Sequence, residues 1–157
     1  MMAKVIANMD SLLKKLDRLG GDTKNAIVKA MKTTLQSAEG DAKANSMYGS
    51  VRTSIKSEYK VEPDKIEGKV FSNHVAGIYI EFGTGPKGQA NHSGISPNVP
   101  VTYTQHPWVY HSEDYGFVTT SGQPARPFLY PASKQNESVF EGETRKELHN
   151  AIMKAGG

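Results

Sequence analysis

"IEFGTGPKG", residues 80–88, decides how this chain is read. An apolar run enters Gly83-Thr84-Gly85-Pro86-Lys87-Gly88, a literal G-x-G-x-x-G, the fingerprint of a turn that cradles a dinucleotide's pyrophosphate. That turn needs its third glycine at the start of a helix, where free N–H groups hold the phosphates. Here Gly88 is followed by Gln-Ala-Asn-His-Ser-Gly-Ile-Ser-Pro, a poor helix former, and Pro86 removes a donor from the turn itself. A ribose-binding carboxylate is expected about 20 residues on. Residues 89–112 contain no Asp or Glu. A Walker loop fails too, because no Lys-Ser/Thr follows a spaced glycine pair. The plainer reading is that Gly83 and Gly85 end one element and turn the chain sharply.

What enters that turn, "NHVAGIYIEFG" (73–83), fits two periods. As a strand it aligns Ala76, Ile78, Ile80 and Phe82 on one face. As a helix it is capped by Asn73, turns Ala76, Tyr79, Ile80 and Phe82 inward and stops at Gly83. The presence of both cap and stop favours the helix. Upstream, two β-like runs at 59–61 and 66–71 flank Pro63-Asp64 and read as a hairpin. Residues 51–55 form one further helical turn. Ala26, Ile27, Ala30, Met31, Thr34, Leu35, Ala38 and Ala42 make one stripe of a helix capped by Asp22 or Thr23 and running to about Ala44. Val5, Ile6, Met9, Leu12, Leu13, Leu16 and Leu19 mark an earlier helix over 4–19, ended by Gly20-Gly21.

Downstream of the turn, residues 84–107 have no period, are rich in Gly, Pro, Asn and Ser, and carry Lys87 as their one strongly charged side chain. A loop of that length is usually functional or disordered. "WVYHSEDYGFVTT" (108–120) reads as a second hairpin with its tip at Glu113–Gly116. A proline-rich extended stretch follows. From Ser133 onward a last helix presents Val139, Phe140, Leu148, Ile152 and Met153. The fold class is α+β: N-terminal helices and a C-terminal helix on a small, mainly antiparallel sheet, with a long loop and hairpin insertion at 86–123. One domain over 1–157 is expected, with a flexible loop about 84–107.

The chain has 157 residues, 37% hydrophobic and 22% charged, with a net charge of +3. No apolar run approaches the roughly 20 residues of a membrane helix, and the first 21 residues lack the continuous apolar core of a signal peptide. There is no cysteine, so disulfides and thiol chemistry are excluded. Residues 1–69 hold 13 Lys/Arg against 9 Asp/Glu, and residues 70–157 hold 6 against 7. A basic helical half could touch nucleic acid, but its charges are interleaved with acids, as on a solvated helix face. His74, His92, His106, His111 and His149 never show the H-x-x-x-H spacing of a metal-binding helix. No G-x-S-x-G elbow and no spaced carboxylate pair points to catalysis. Tyr103, Trp108, Tyr110, Tyr115 and Phe117 cluster without interleaved Arg or Lys, which suits packing or protein contact better than base stacking.

Two segments belong together: "AGIYIEFGTG" (76–85) and "ARPFLYPA" (125–132), the second followed by the last helix. With "VRTSI" (51–55), they resemble the tail-completion, or head–tail joining, family of long-tailed bacteriophages, whose members are minor tail and neck proteins. Tyr79, Glu81, Phe82, Gly83 and Thr84 fill the first family motif. Arg126, Pro127, Phe128, Pro131 and Ala132 fill the second. About 40 residues separate the motifs here, more than in many members, so the motifs assign nothing to the intervening loop. The resemblance implies a non-enzymatic virion part without cofactor or bound metal, located in the tail or neck and in the host cytoplasm during assembly. It implies a homo-oligomeric ring, commonly a hexamer, that ends tail-tube growth, contacts the tail tube protein and the head–tail connector protein, and lets DNA pass without sequence-specific binding.

Within that reading the motif is a folding device. Glu81 is expected to pair with Arg126 and clamp the two motifs. Phe82 and Phe128 anchor the core, and Pro131 sits in the first turn of the last helix, where its missing N–H costs nothing. Gly85, Lys87, His92 and Trp108 are the residues expected to serve assembly in the loop. The alternative is a small nucleic-acid-binding protein contacting phosphates through Lys24, Lys29, Lys32 and Lys43.

Overall fold

The computed structural model describes residues 2–5, 20–63, 65–89 and 92–155. In chain order these form β1 (Met2–Val5), α1 (Gly21–Asn45), α2 (Gly49–Ser54), β2 (Ile55–Val61), β3 (Ile66–Ser72), α3 (Ala76–Phe82), a 3₁₀ turn (Gly85–Lys87), β4 (Trp108–Ser112), β5 (Gly116–Thr120) and α4 (Leu129–Ala155). The class is α+β, as the periodicities require.

The first sheet has the order β1-β3-β2 and is antiparallel throughout. Burial alternates strictly along β3, with Ile66, Gly68, Val70 and Ser72 turned inward, the period-2 pattern of a sheet covered on one face. The cover is α1. All eight residues of its stripe are buried, and its small side chains let the sheet come close. At Gly68 a Cβ would lie 2.6 Å from the Met31 sulfur. α4 lies antiparallel to α1, in a register marked by Lys29–Glu147 (2.9 Å) and by Asn136 Nδ2 donating to Asp41 (2.7 Å). Ile27, Met31, Leu35, Val51, Ile55, Val70, Phe128, Leu129 and Phe140 fill the core between these layers. β4 and β5 form a separate two-stranded sheet.

Five boundaries differ from the sequence reading. β2 starts at Ile55 rather than at Tyr59, so Ile55 belongs to the strand and not to the helical turn before it. Residues 4 and 5 are not helical, because Met2–Val5 pairs with β3 from Met2↔Phe71 to Val5↔Gly68. The open edge of β3 claims them. Residues 6–19, the rest of that expected helix, lie outside the described residues. α1 is not capped by Asp22 or Thr23. Gly20, at φ 94°, holds the cap position, and the Thr23 hydroxyl donates to its carbonyl at 2.7 Å. α3 begins without an Asn73 cap: the Ala76 N–H donates to His74 Nδ1 at 3.1 Å. Finally, α4 starts at Leu129 rather than Ser133, because its first turn is capped from elsewhere in the chain. Of its expected apolar positions Phe140 is buried and Leu148 half-buried, while Val139, Ile152 and Met153 are exposed. The face against α1 is instead Ala132, Ser133, Asn136, Phe140, Thr144 and Glu147, a partly polar seam that a hydrophobicity count cannot find.

Candidate functional site

α3 turns Gly77, Ile80, Glu81 and Phe82 inward and leaves Tyr79 52% exposed, against the expectation that Tyr79 faces the core. Glu81 is 2% exposed and has no basic partner among the described residues. Its Oε2 accepts the N–H groups of Phe128 (2.7 Å) and Leu129 (3.0 Å), and its Oε1 accepts that of Tyr130 (2.9 Å). A helix leaves its first four N–H groups without internal partners. One carboxylate here serves three, and the fourth position is Pro131, which has no N–H. The negative charge also faces the positive end of the helix dipole. Burial pushes the Glu81 carboxyl above its ordinary value, and the three N–H groups work against that.

The two motifs are therefore clamped, but not by Glu81 and Arg126. The Arg126 guanidinium is exposed and lies 3.4 Å from the Tyr48 hydroxyl and 3.5 Å from the Met47 sulfur. Its main chain makes the tie, donating N–H to the Ile80 carbonyl at 2.8 Å. The buried carboxylate takes its hydrogen bonds from main-chain donors already aimed at it by the helix, which spares it a second desolvated charge. Phe128 is wholly buried in the main core, Ala132 likewise, and Pro127 is half-buried against Gly94.

"VRTSI" works as a second cap. Val51 and Ile55 enter the core. Arg52 Nη2 and Nε donate to the Ser46 carbonyl at 2.6 and 3.2 Å, which sets a cation against the C-terminal end of α1. Ser54 and Ser72 share a hydroxyl–hydroxyl bond of 2.7 Å.

Beyond α3 the glycines turn as expected: Gly83 has φ 74° and Gly85 φ 60°. A Cβ on Gly83 would stand 2.7 Å from the Ala125 nitrogen and from the Gln123 oxygen, so the backbone of the second motif fills the space a side chain would need. Gly85 packs under the Trp108 ring. Thr84 and Gln123 exchange two main-chain hydrogen bonds, of 2.9 and 3.1 Å, and close residues 85–122 into a loop. Gln123, which the sequence reading passed over, also donates its amide to the Tyr79 carbonyl at 3.0 Å. Within the loop, Ile95 joins Phe82 and Ala125 in a small second core. The Tyr103 hydroxyl donates to the Phe82 carbonyl at 2.5 Å. The Gly94 N–H donates to His92 Nδ1 at 3.0 Å, so His92 shapes a turn, and Lys87 is exposed at the end of the 3₁₀ turn.

A groove of about 400 Å³ runs between α3 and this loop, lined among others by Ile78, Tyr79, Val99, Val101 and Trp108. In the hairpin, the register of β4 with β5 places Val109 opposite Thr119 and His111 opposite Phe117 on one face. Val109 and Phe117 there are 59% and 82% exposed.

Residues 10–83 match the model of the family described as "Bacteriophage HK97-gp10, putative tail-component". Over that stretch the chain is similar to a family described as a putative phage tail component. The match covers just under half the chain and includes Arg52 and the first motif as far as Gly83. The second motif and α4 lie beyond it and are bound to it through Glu81. No curated protein and no solved structure matches the chain. Among the described residues no group of His, Asp and Glu could hold a metal ion, and no helix is long and apolar enough to cross a membrane. The basic helix of the nucleic-acid reading is partly occupied: Lys29 is paired with Glu147, Lys43 with Glu39, and Lys32 lies over the Tyr59 ring.

Proposed function

We propose that this chain is a phage tail component that completes the tail and joins it to the head, as a single domain that assembles into a ring of identical copies, six in the commonest geometry. In this role it is not an enzyme. Its neighbours are the tail tube protein and the head–tail connector protein, DNA passes through the lumen without sequence-specific contact, and the subunits are folded in the host cytoplasm before they enter the tail and neck. The observation that carries this reading is the use made of Glu81. The motif's buried carboxylate is wholly spent on main-chain donors, so the motif builds a body and performs no chemistry. The same body presents the groove and the hairpin's apolar face to the outside, and exposed apolar surface of this kind serves protein contact.

The test is mass measurement and negative-stain microscopy of the purified protein, alone and with tail tubes from a phage lacking it. Rings, or caps on one end of the tubes, are expected. A monomer that ignores tubes but binds DNA with a steep salt dependence would replace this reading with the nucleic-acid one.

A further inference from the structure

"VPVTYTQ", residues 99–105, has the composition of a strand but no ladder, and the chain bends at Val99 and at Gln105. Its composition is β-branched and aromatic, and its burial alternates: Val101 and Tyr103 are half-buried, Thr102 and Thr104 exposed. Val101 packs on the small core around Phe82, and the Tyr103 hydroxyl holds the Phe82 carbonyl. One face is thus fixed to the body as a strand's inner face would be. Yet among the described residues none of the N–H groups of residues 101–105 has a protein partner. An anchored segment of strand-forming composition with free main-chain donors is a template for pairing with another strand.

The same chain carries a matching edge. β2 ends the order β1-β3-β2, so one of its sides is open. Its Ile55 N–H donates to the Arg52 carbonyl; beyond Ile55 its main chain bonds, among the described residues, to β3 alone, and it is exposed from Glu58 to Val61. Both segments are seven residues long. Lysines on an edge strand repel indiscriminate pairing, and β2 carries Lys56 and Lys60. Residues 99–105 bear no charge, and the hairpin that follows them presents Glu113 and Asp114, both exposed. Lys60 is paired with Glu62, while Lys56 has no ion pair among the described residues, so Lys56 is the charge on this edge left to meet the acidic tip.

We propose that residues 99–105 add as a strand to the open edge of β2 in a second copy of this chain. The inference rests on the ring reading above and supplies its subunit contact. The donor segment and the acceptor edge are different patches. The contact therefore repeats head to tail, and closes as a ring or runs on as a filament.

The chain lacks cysteine, so introduced pairs report cleanly. In full overlap, Thr102 meets Glu58 whichever way the strands run. Thr102→Cys is combined with Glu58→Cys, and separately with Tyr59→Cys to cover a one-residue slip. The expected result is a ladder of disulfide-linked oligomers from one double variant and none from Thr102→Cys alone. Thr102→Pro and Gln105→Pro remove donors of opposite parity. One of them is expected to cut ring formation at least tenfold, with neither changing the monomer's melting. Rings that form without a ladder, and in both proline variants at the parent level, overturn the strand pairing and leave the ring reading intact. Dimers cross-linked through Thr102→Cys alone overturn it in favour of self-pairing. Failure of the unmodified protein to oligomerise, alone or on tubes, sinks the ring reading itself.

Discussion

The helix–sheet body and the 85–122 loop are built on opposite principles. In the body, main-chain groups are paired in ladders and helices, and even the helix ends are closed by Glu81 and Arg52. The loop has one short hairpin, a three-residue core with Phe82 and Ala125, and a run of five N–H groups without a protein partner among the described residues. The body is specified from within. The loop holds its shape by leaning on the body, at Tyr103 and Ile95. Substitutions in the body should therefore act on stability, and substitutions in the loop on assembly.

Glu81→Ala attacks the body where it is least replaceable. Three buried donors lose their acceptor, and at about 1–3 kcal/mol for each unsatisfied group, softened by relaxation of the helix end, the loss should reach about 4 kcal/mol in urea unfolding. Glu81→Lys combined with Arg126→Glu should recover less than about 0.5 kcal/mol, since the two side chains are not partners. Recovery above that would revive the ion-pair clamp. Gly83→Ala comes next, at about 3 kcal/mol, because it joins a positive φ to a clash with backbone rather than with a flexible side chain. Arg52→Ala should cost about 1–2 kcal/mol through loss of a charged hydrogen bond at the end of α1.

Phe117→Ser belongs to the loop. It should move stability by less than about 0.5 kcal/mol while reducing ring formation or capping of tubes, and a large fall in melting temperature would break the comparison. The smallest effect is one of pH. A carboxyl raised on folding contributes stability below its ordinary value of 4.5, and loses that contribution as pH rises through its folded value. The stability of the parent relative to Glu81→Gln should accordingly decline as pH rises above 4.5, and a rise instead would mean that the N–H groups outweigh burial.

Deletion of residues 86–106 tests both halves together. It removes Ile95 and Tyr103 from Phe82 but spares the main core, so a weaker yet folded protein that fails to assemble is expected. A deletion variant that still forms rings and caps tubes would show that the loop serves only itself.

The α1 stripe, the β2–β3 hairpin, α3 and the β4–β5 hairpin were legible because each repeats a period or a turn signal within a few residues. The literal dinucleotide fingerprint was set aside on the missing helix and carboxylate. The role of Glu81 was not legible. A carboxylate near an arginine-bearing motif suggests an ion pair, and nothing local says that a helix end 47 residues away supplies the donors. The polar seam of Thr34, Asn136 and Thr144 escaped for a related reason: a small or hydroxylated residue counts as surface in any hydrophobic tally. Met2–Val5 was misread because local helical spacing cannot weigh the open edge of β3. Residues 99–105 were read as part of a loop without a period, because their alternation appears only in which side chains the body buries.

The Thr84–Gln123 bridge has one more consequence. It brings the two ends of the loop together on the body, so the length of what hangs between them is nearly free: doubling it adds only about 0.6 kcal/mol of closure entropy. That makes the bridge a socket. A related chain could wear a much shorter loop, or a different one fitted to another neighbour, without altering the scaffold beneath. An engineer could likewise graft an epitope tag or a fluorophore at the hairpin tip, where Tyr115 is 82% exposed, and leave the body untouched.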